Sequence, residues 1–371
     1  VIGPPFADAC RTGRRQDIIE RSRVLHRGER RSFEVSDEKM STIEEIASRA
    51  GCSMATVSRA LNRSGPVSEA MLRRVRKAAL ELGYHQKIEG SIAAKRHRPV
   101  VGVLIPSISN PVFAASLSGI QSRMRVAGHG VLIAQSDYDP AREPDAIAAL
   151  LAENPTGLIM TLCNPLVSQS TLSVDLPPTV LLHNQPTPRF KAAVTTDNRR
   201  AGQELANHLI HHGHRRILFV SGRFASSDRA RLRYEGYCDA MQGAGLEIAD
   251  ALQVSLTTGY GDLDLSEILS LDRPTAIIAS NDLLALGVIS AVRGEGLQVP
   301  DDVSVAGFDG IAIGQLVYPP LTTIEMADAS MGATAASLLL DMAANSAVPR
   351  HLTLGYKLNP GGTVRQAPQT P

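Results

Sequence analysis

The strongest constraint in this sequence is a rhythm: from Pro99 onward, short apolar runs of strand length alternate with amphipathic helical stretches, and the alternation occurs twice. Val100–Ile105, Val131–Ala134, Leu158–Thr161 and Val180–Leu182 form a first series, with helices near Val112–Ala127 and Arg142–Ala152 between them. Ile217–Val220, Val254–Leu256, Ala276–Ala279 and Val303–Ala306 form a second, interleaved with helices near Arg199–His212, Arg229–Gly243 and Leu283–Arg293. Strands separated by helices predict parallel sheets covered on both faces, so two series predict two α/β lobes. Val194–Asp197 and Leu321–Ile324 stand between the series as candidate crossings, and a helix near Ala329–Met342 returns to the first lobe. A ligand of such paired sheets sits beyond the carboxyl ends of the strands, in the crevice between lobes.

A formal charge of +1 over 371 residues hides an asymmetry. Residues 40–98 hold 11 Lys and Arg against 5 Asp and Glu, whereas residues 99–371 hold 18 against 25. A basic piece attached to an acidic body is the footprint of a nucleic-acid module joined to something else. Cys10, Cys52, Cys163 and Cys238 form no CxxC pair, which fits neither a disulfide framework nor a zinc site and points to a reducing cytoplasm. No apolar stretch approaches the ~20 residues needed to span a bilayer, so no membrane partner is expected. Residues 1–39 are Arg-rich, lack periodicity and carry no apolar h-region, and are read as a disordered or non-native extension rather than a signal peptide.

Within the basic piece, Ser41 to Asn62 reads as two short helices joined by a tight turn. Thr42 with Glu45 three residues on makes a capping box that starts the first helix. Ile43, Ile46, Ala47 and Ala50 supply its buried stripe, Gly51 ends it, and Ser53 is placed to cap the second helix. With Val57 and Leu61 facing the first helix, Met54, Ala55, Thr56, Ser58, Arg59 and Asn62 are left on the outward side, the side that a helix-turn-helix lays in the major groove. Arg59 can pair bidentately with guanine, Met54 and Ala55 offer apolar contact to thymine methyls, and the hydroxyls and Asn62 can bond phosphates or base edges. The competing reading is a solvated helical hairpin inside a larger fold. A third helix follows, capped by Ser68, with Leu72, Val75, Ala79 and Leu82 as its stripe; Arg73, Arg74, Arg76 and Lys77 along it are either a solvated face or phosphate contacts.

Thr42-Ile43, Ala50-Gly51-Cys52-Ser53, Ala55-Thr56-Val57-Ser58-Arg59-Ala60-Leu61-Asn62, Val67-Ser68 and Leu82-Gly83-Tyr84 together resemble the headpiece of the lactose-repressor (LacI/GalR) family. The resemblance continues through Asn110-Pro111-Val112-Phe113, Thr196-Asp197-Asn198, Gly213-His214-Arg215-Arg216-Ile217, Ser280-Asn281-Asp282, Gly307-Phe308-Asp309 and Pro320-Leu321-Thr322-Thr323-Ile324, covering about residues 41–365. It is most similar to members that resemble gluconate-operon repressors. The family implies an all-α headpiece at 40–85, a hinge at 86–98, and a periplasmic-binding-protein-like core at 99–365 with parallel sheets. Lobe 1 is then about 99–195 and 325–365, lobe 2 about 196–324, and 366–371 a tail. It also implies a homodimer on near-palindromic operator DNA, in which a hinge residue wedges into the minor groove. That residue is Ile92 if one position has been lost between Tyr84 and Gly90-Ser91; the family's usual leucine position here is Ala93, and a hinge that does not wedge is the alternative.

Carried over residue by residue, the implied effector pocket contains Asn110, Phe113, Thr161 and His183 from the first lobe, then Arg233, Asn281 and Asp309 from the second. Arg, Asn and Asp suit the vicinal hydroxyls of a sugar or sugar acid, and Phe113 or Tyr260 can cover an apolar sugar face. Taken singly, Asn281 and Asp309 could instead be caps and Phe113 could be core. His208, His211, His212 and His214 invite a metal reading, but no carboxylate or cysteine in that segment completes a set, and no cofactor is expected. No GxSxG, HExxH, P-loop or GxGxxG is present, so the reading is a regulator and not an enzyme. The runner-up is a sugar-binding transport or sensor component on the same core, which the helix-turn-helix argues against.

Overall fold

The computed structural model describes residues 42–62, 64–82, 84, 98–171, 175–255 and 260–368. Its chain divides into two units, Val1–His97 and Arg98–Pro371.

Among its described residues the first unit has three helices, α1 (Ile43–Ala50), α2 (Met54–Asn62) and α3 (Glu69–Glu81). The capping box forms: Thr42 Oγ1 accepts the Glu45 N–H and Glu45 Oε2 accepts the Thr42 N–H at 2.9 Å. Gly51 ends α1 at φ +61, a left-handed conformation that a side chain would strain, and a Cβ there would also meet the Arg74 guanidinium at 2.8 Å. Ile46, Ala47, Ala50, Val57, Ala60, Val75, Ala78 and Ala79 form the core, its alanines allowing three short helices to pack closely. Ile43, expected in the buried stripe, is instead 36% exposed and outside that core. Arg74 departs from its neighbours: its Nη2 donates to the Ala50 carbonyl at 2.7 Å, satisfying an orphan acceptor at the end of α1.

Among its described residues the second unit contains two sheets of six strands. The first joins β1 (Val100–Ile105), β2 (Gly130–Gln135), β3 (Leu158–Met160), β4 (Thr179–Leu182), β5 (Ala193–Thr196) and β11 (His351–Leu354) in the order β11-β5-β4-β3-β1-β2, all parallel. The second joins β6 (Ile217–Gly222), β7 (Leu252–Val254), β8 (Ala276–Ala279), β9 (Ser304–Asp309), β10 (Thr322–Met326) and β12 (Tyr356–Asn359) in the order β12-β10-β9-β8-β6-β7. Only β12 runs antiparallel among these described strands.

The helices that shape the crevice are α4 (Pro111–Val126), α7 (Asn198–His211), α8 (Asp228–Gly243), α10 (Asp282–Gly294) and α12 (Asp328–Ala343); shorter ones are α5 (Glu143–Leu151), α6 (Pro165–Thr171), α9 (Ser266–Leu271) and α11 (Ala312–Leu316). Helices α7 and α8 cross so closely that a Cβ on Gly202 would lie 2.1 Å from the Arg233 carbonyl, and one on Gly236 1.8 Å from the Arg199 carbonyl. Glycine here removes the side chain that would hold the helices apart, and the crossing sets the backbone of Arg233.

The lobe boundaries differ from the sequence expectation of 325–365 in lobe 1. Glu325 and Met326 complete β10 of the second sheet, and Tyr356–Asn359 pair with it from the other side. Residues 360–368 stay there too: Thr363 Oγ1 donates to the Val305 carbonyl at 2.6 Å and Ala367 N–H to that of His212 at 2.7 Å. The chain therefore crosses between lobes after β5, after β10 and again between β11 and β12. A two-residue-scale reading could not see the last crossing, because β11 and β12 have the same local character and are separated by Gly355 alone.

Candidate functional site

Between the lobes lies a cleft of about 580 Å³ of empty space, counted out to open solvent. Its wall is built from strand ends. The turn after β1 presents Asn110 and Phe113, the end of β4 His183, the end of β8 Ser280 and Asn281, and the end of β9 Asp309. The first turns of α8 add Ser227, Arg229 and Arg233, and the start of α12 adds Asp328 and Met331.

Arg233 organises the second lobe's side. Its Nε donates to Asn198 Oδ1 at 2.8 Å, and its Nη1 donates to the Ser280 carbonyl at 2.6 Å and to Asp309 Oδ1 at 3.0 Å. The guanidinium lies over the Phe308 ring, 4.7 Å from its centroid. Planarity allows it to stack on the ring while its edges bond, which an ammonium cannot match. Asp309 holds φ +113, outside the comfortable range of an L-residue, so the end of β9 carries strain at the cleft.

On the facing side, His183 at φ +68 packs edge-on against Phe113, with ring centroids 5.9 Å apart, and its Nε2 shares a hydrogen bond of 2.9 Å with Ser116 Oγ. Burial, followed by the cations of Arg229 and Arg233, pushes its pKa down to about 3, so the imidazole is neutral at physiological pH. Its Nδ1 is 3.9 Å from Asp328 Oδ1, close enough for an ion pair if both were charged. Burial and the nearby Asp309 raise the Asp328 carboxyl well above the usual range, so both groups favour their neutral forms and the pair is not ionic.

Six residues expected from the sequence meet in this wall: Asn110, Phe113, His183, Arg233, Asn281 and Asp309. Two of them also serve as caps, since Asn110 Oδ1 accepts the Val112 N–H and Asn281 Oδ1 the Leu284 N–H. Two expectations fail. Thr161 does not line the cleft; it is buried under β4, where its hydroxyl donates to the Leu182 carbonyl at 3.0 Å. Tyr260 lies in the short 3-10 turn Tyr260–Asp262 and lines a separate recess with Leu252, Val254 and Leu284, because Gly287 lets its backbone settle against α10.

The sequence reading missed Tyr138, Asn198, Arg229, Ser280 and Asp328. Arg229 had a signal: it lies one helical turn before Arg233 and so on the same face of α8. Asp328 had one too, two residues past the end of β10. Asp282 is also missed, although it stands just behind the wall: its Oδ1 accepts the Thr323 hydroxyl at 2.7 Å and its Oδ2 the Ile311 N–H at 2.9 Å.

In the headpiece unit, Thr42, Ser53, Met54, Ala55 and Arg59 are exposed, and Thr56 and Ser58 are half-buried. Met54, Ala55 and Ser58 share a shallow depression with Thr42, Ile43 and Glu44. Ser53 caps α2 by accepting the Thr56 N–H, and Arg59 Nε rests on the Ala55 carbonyl at 3.2 Å. Asn62 ends α2; its side chain, Ile92 and residues 1–41 lie outside the described residues. The histidines of 208–214 are accounted for locally: His214 bonds Thr275 Oγ1 and the Arg365 carbonyl, each at 3.0 Å, and His212 bonds the His208 carbonyl at 2.8 Å. Among the described residues no group of His, Cys, Asp and Glu is arranged to hold a metal ion, and no helix is long and apolar enough to cross a membrane.

Comparison with known proteins places this geometry. Residues 42–87 match the bacterial regulatory proteins of the lacI family, and residues 206–364 match a periplasmic binding protein-like domain. The HTH-type transcriptional regulator GntR of Escherichia coli (strain K12) is 31% identical over 331 residues, spanning 88% of this chain and 99% of that protein. The lac repressor dimer bound to operator and the anti-inducer ONPF shares the fold at TM-score 0.65 and 24% identity, over 88% of this chain and 100% of that one. The transcriptional regulator CelR in its cellobiose complex aligns at TM-score 0.61 and 25% identity, over 87% and 100% of the two chains.

Proposed function

The chain belongs to the LacI family of bacterial regulatory proteins, a family of DNA-binding transcriptional regulators and not of enzymes, and from that premise we propose that it is a repressor whose hold on a near-palindromic operator is set by a sugar or sugar acid bound between its lobes. One observation carries the effector reading: polar side chains from both lobes, Asn110 and His183 on one side and Arg233, Asn281 and Asp309 on the other, converge on one cleft at the carboxyl ends of two sheets. A ligand that bonds both sides favours one relative placement of the lobes over another, which is the differential affinity that coupling to DNA requires.

The headpiece carries the DNA half. A single short reading helix discriminates poorly, so two copies reading a two-fold symmetric site in the cytoplasm is the economical arrangement. Relatives are known as an operator-bound dimer and as a cellobiose complex, in keeping with both halves of the reading. Arg59, Met54 and Ala55 then read base edges, with Thr42, Ser53, Thr56, Ser58 and Asn62 positioned for phosphates or base edges.

The test starts from selection of binding sites out of random duplex DNA, followed by titration of the selected duplex with a panel of sugars and sugar acids. The expected result is a near-palindrome, a dimer by sedimentation, and at least one compound that changes operator affinity tenfold or more. Enrichment of no sequence, or a stable monomer on the selected site, would overturn the DNA half.

A further inference from the structure

We propose that the two lobes are latched together by the protein's own bonds: Asp228, the first residue of α8 in the second lobe, is seated in a polar socket that the first lobe builds from Leu162, Cys163 and Asn184. Its consequence for DNA rests on the proposed reading of the lobes as the moving parts of a regulator, whereas the latch itself does not.

The socket is assembled within the first lobe. Asn184, two residues past the end of β4, is fully buried, and its amide pairs with the backbone of the neighbouring loop: Oδ1 accepts the Leu162 N–H at 2.7 Å and Nδ2 donates to the Leu162 carbonyl at 2.9 Å. Glu143, at the start of α5 and also buried, holds the next residue. One of its carboxylate oxygens accepts the Cys163 N–H at 2.6 Å and the other the Ser168 hydroxyl at 2.5 Å. An amide nitrogen carries two N–H groups, so after these bonds Asn184 has one donor still to place, and the Cys163 carbonyl is the matching acceptor.

Asp228 meets both. Its N–H donates to the Cys163 carbonyl at 3.2 Å, its Oδ1 accepts Asn184 Nδ2 at 2.8 Å, and the Gln185 backbone N–H favours the charge of the same carboxylate. Helix α8 nevertheless belongs to the second lobe, where its Tyr237, Ala240 and Met241 share a core with Leu205 and Leu209 of α7. An acidic residue in the first turn of a helix is ordinarily left in water, yet Asp228 is only 4% exposed. A buried carboxylate is tolerable only when it is bonded, and here the bonds come from the opposite lobe. Parting the lobes breaks them together.

The latch also sets the cleft. Arg229 follows Asp228, lines the cleft, and donates from Nη1 to the same Oδ1 at 3.3 Å; Ser227 precedes it, caps α8 and lines the cleft as well. A socket in the first lobe thus places part of the second lobe's wall. The lobes meet through apolar side chains too, with Ile311, Leu283 and Leu286 of the second packing into the core of the first. Apolar contact is non-directional and tolerates sliding, whereas the socket bonds in one placement.

The test is hydrogen–deuterium exchange on the full chain, with each substitution read on the lobe to which it does not belong. Asn184→Asp sets a carboxylate against Asp228 and is expected to raise exchange at residues 226–232 at least tenfold at pH 8. Asp228→Ala is expected to do the same at residues 183–186, with β1 and β6 still protected in both variants. Asn184→Asp combined with Asp228→Asn restores a donor and an acceptor across the lobes and should return exchange to within threefold of wild type; a loop merely damaged by the first substitution would not recover. Unchanged exchange on the opposite lobe in both single variants, or no recovery in the double, overturns the latch and leaves the effector cleft standing. Titrated against the selected duplex with no compound added, both single variants are expected to change operator affinity at least fivefold in the same direction. Raised exchange with operator affinity unmoved upholds the latch and overturns the coupling of lobe placement to DNA.

Discussion

Replacing Arg233 with alanine removes three hydrogen bonds and the cation over Phe308 together, and the largest loss is the pair with Asp309, in which both side chains are less than 10% exposed. Breaking a buried pair by deleting one partner costs roughly 3–5 kcal/mol, because the surviving charge is left uncompensated. The unit Arg98–Pro371 has about 270 residues. At ~2.1 cal/mol/K per residue its unfolding entropy is about 0.6 kcal/mol/K, so Tm should fall by roughly 5–9 °C. The loss has a pH signature. Burial already raises the Asp309 carboxyl, and Arg233 is the first opposing influence. Without Arg233 that pKa rises further, so the folded state keeps a proton that the unfolded chain releases near pH 4, and stability falls as pH climbs. The deficit should therefore be larger at pH 8 than at pH 5. Adding Asp309→Asn removes the orphaned charge, and the double variant should recover part of the loss and lose the pH dependence. Differential scanning calorimetry of the wild type, both single variants and the double at pH 5 and 8 measures each term. A drop under 2 °C at pH 8, or an equal deficit at both pH values, would refute the reasoning. The same numbers make Arg233→Ala a poor probe of ligand binding alone, since it also perturbs the lobe that holds the ligand.

Four further outcomes are expected. Thr42→Ala removes the side-chain half of the capping box and should destabilise the headpiece by ~1 kcal/mol, read from its own melting transition by NMR. Asp282, pushed up to about 8 by burial and by Asp309, contributes stability that is lost as pH rises from about 4 towards 8; Asp282→Asn should flatten the decline expected across that window in urea denaturation. Gly236→Ala places a Cβ 1.8 Å from the Arg199 carbonyl and should force α7 and α8 apart, lowering Tm by several degrees and weakening any cleft ligand through Arg233. Arg59→Ala should cost on the order of 1–3 kcal/mol per half-site and relax preference at one base, whereas Lys77→Ala should weaken operator and random DNA evenly; equal losses on both DNAs for both variants would reverse the assignment of Arg59.

What could be read from the chain was what local rules decide. The capping box at Thr42 and Glu45, the glycine stop at Gly51 and the Ser53 and Ser68 caps depend on neighbours three or four residues away, and all form as expected. The alternation of strands and helices was equally legible, because a fully buried parallel strand needs a continuous apolar run and a covering helix needs a 3.6-residue stripe. The resemblance to the family, carried onto matching positions, supplied the six of the eight expected cleft residues that meet there. Tertiary structure decided the rest. Thr161 and Tyr260 were expected there too, yet one is consumed by a carbonyl on the adjacent strand and the other is drawn against Gly287. Arg229 and Asp328 enter because α8 and α12 begin at the crevice, and Arg74 leaves the basic row because α3 crosses the end of α1. The strands β11 and β12 are neighbours in the chain and lie in different sheets, the one parallel to β5 and the other antiparallel to β10. Which edge a short strand joins is set by hydrogen-bonding groups left open more than a hundred residues away for β11 and about thirty for β12, and no pattern within the strand itself records them.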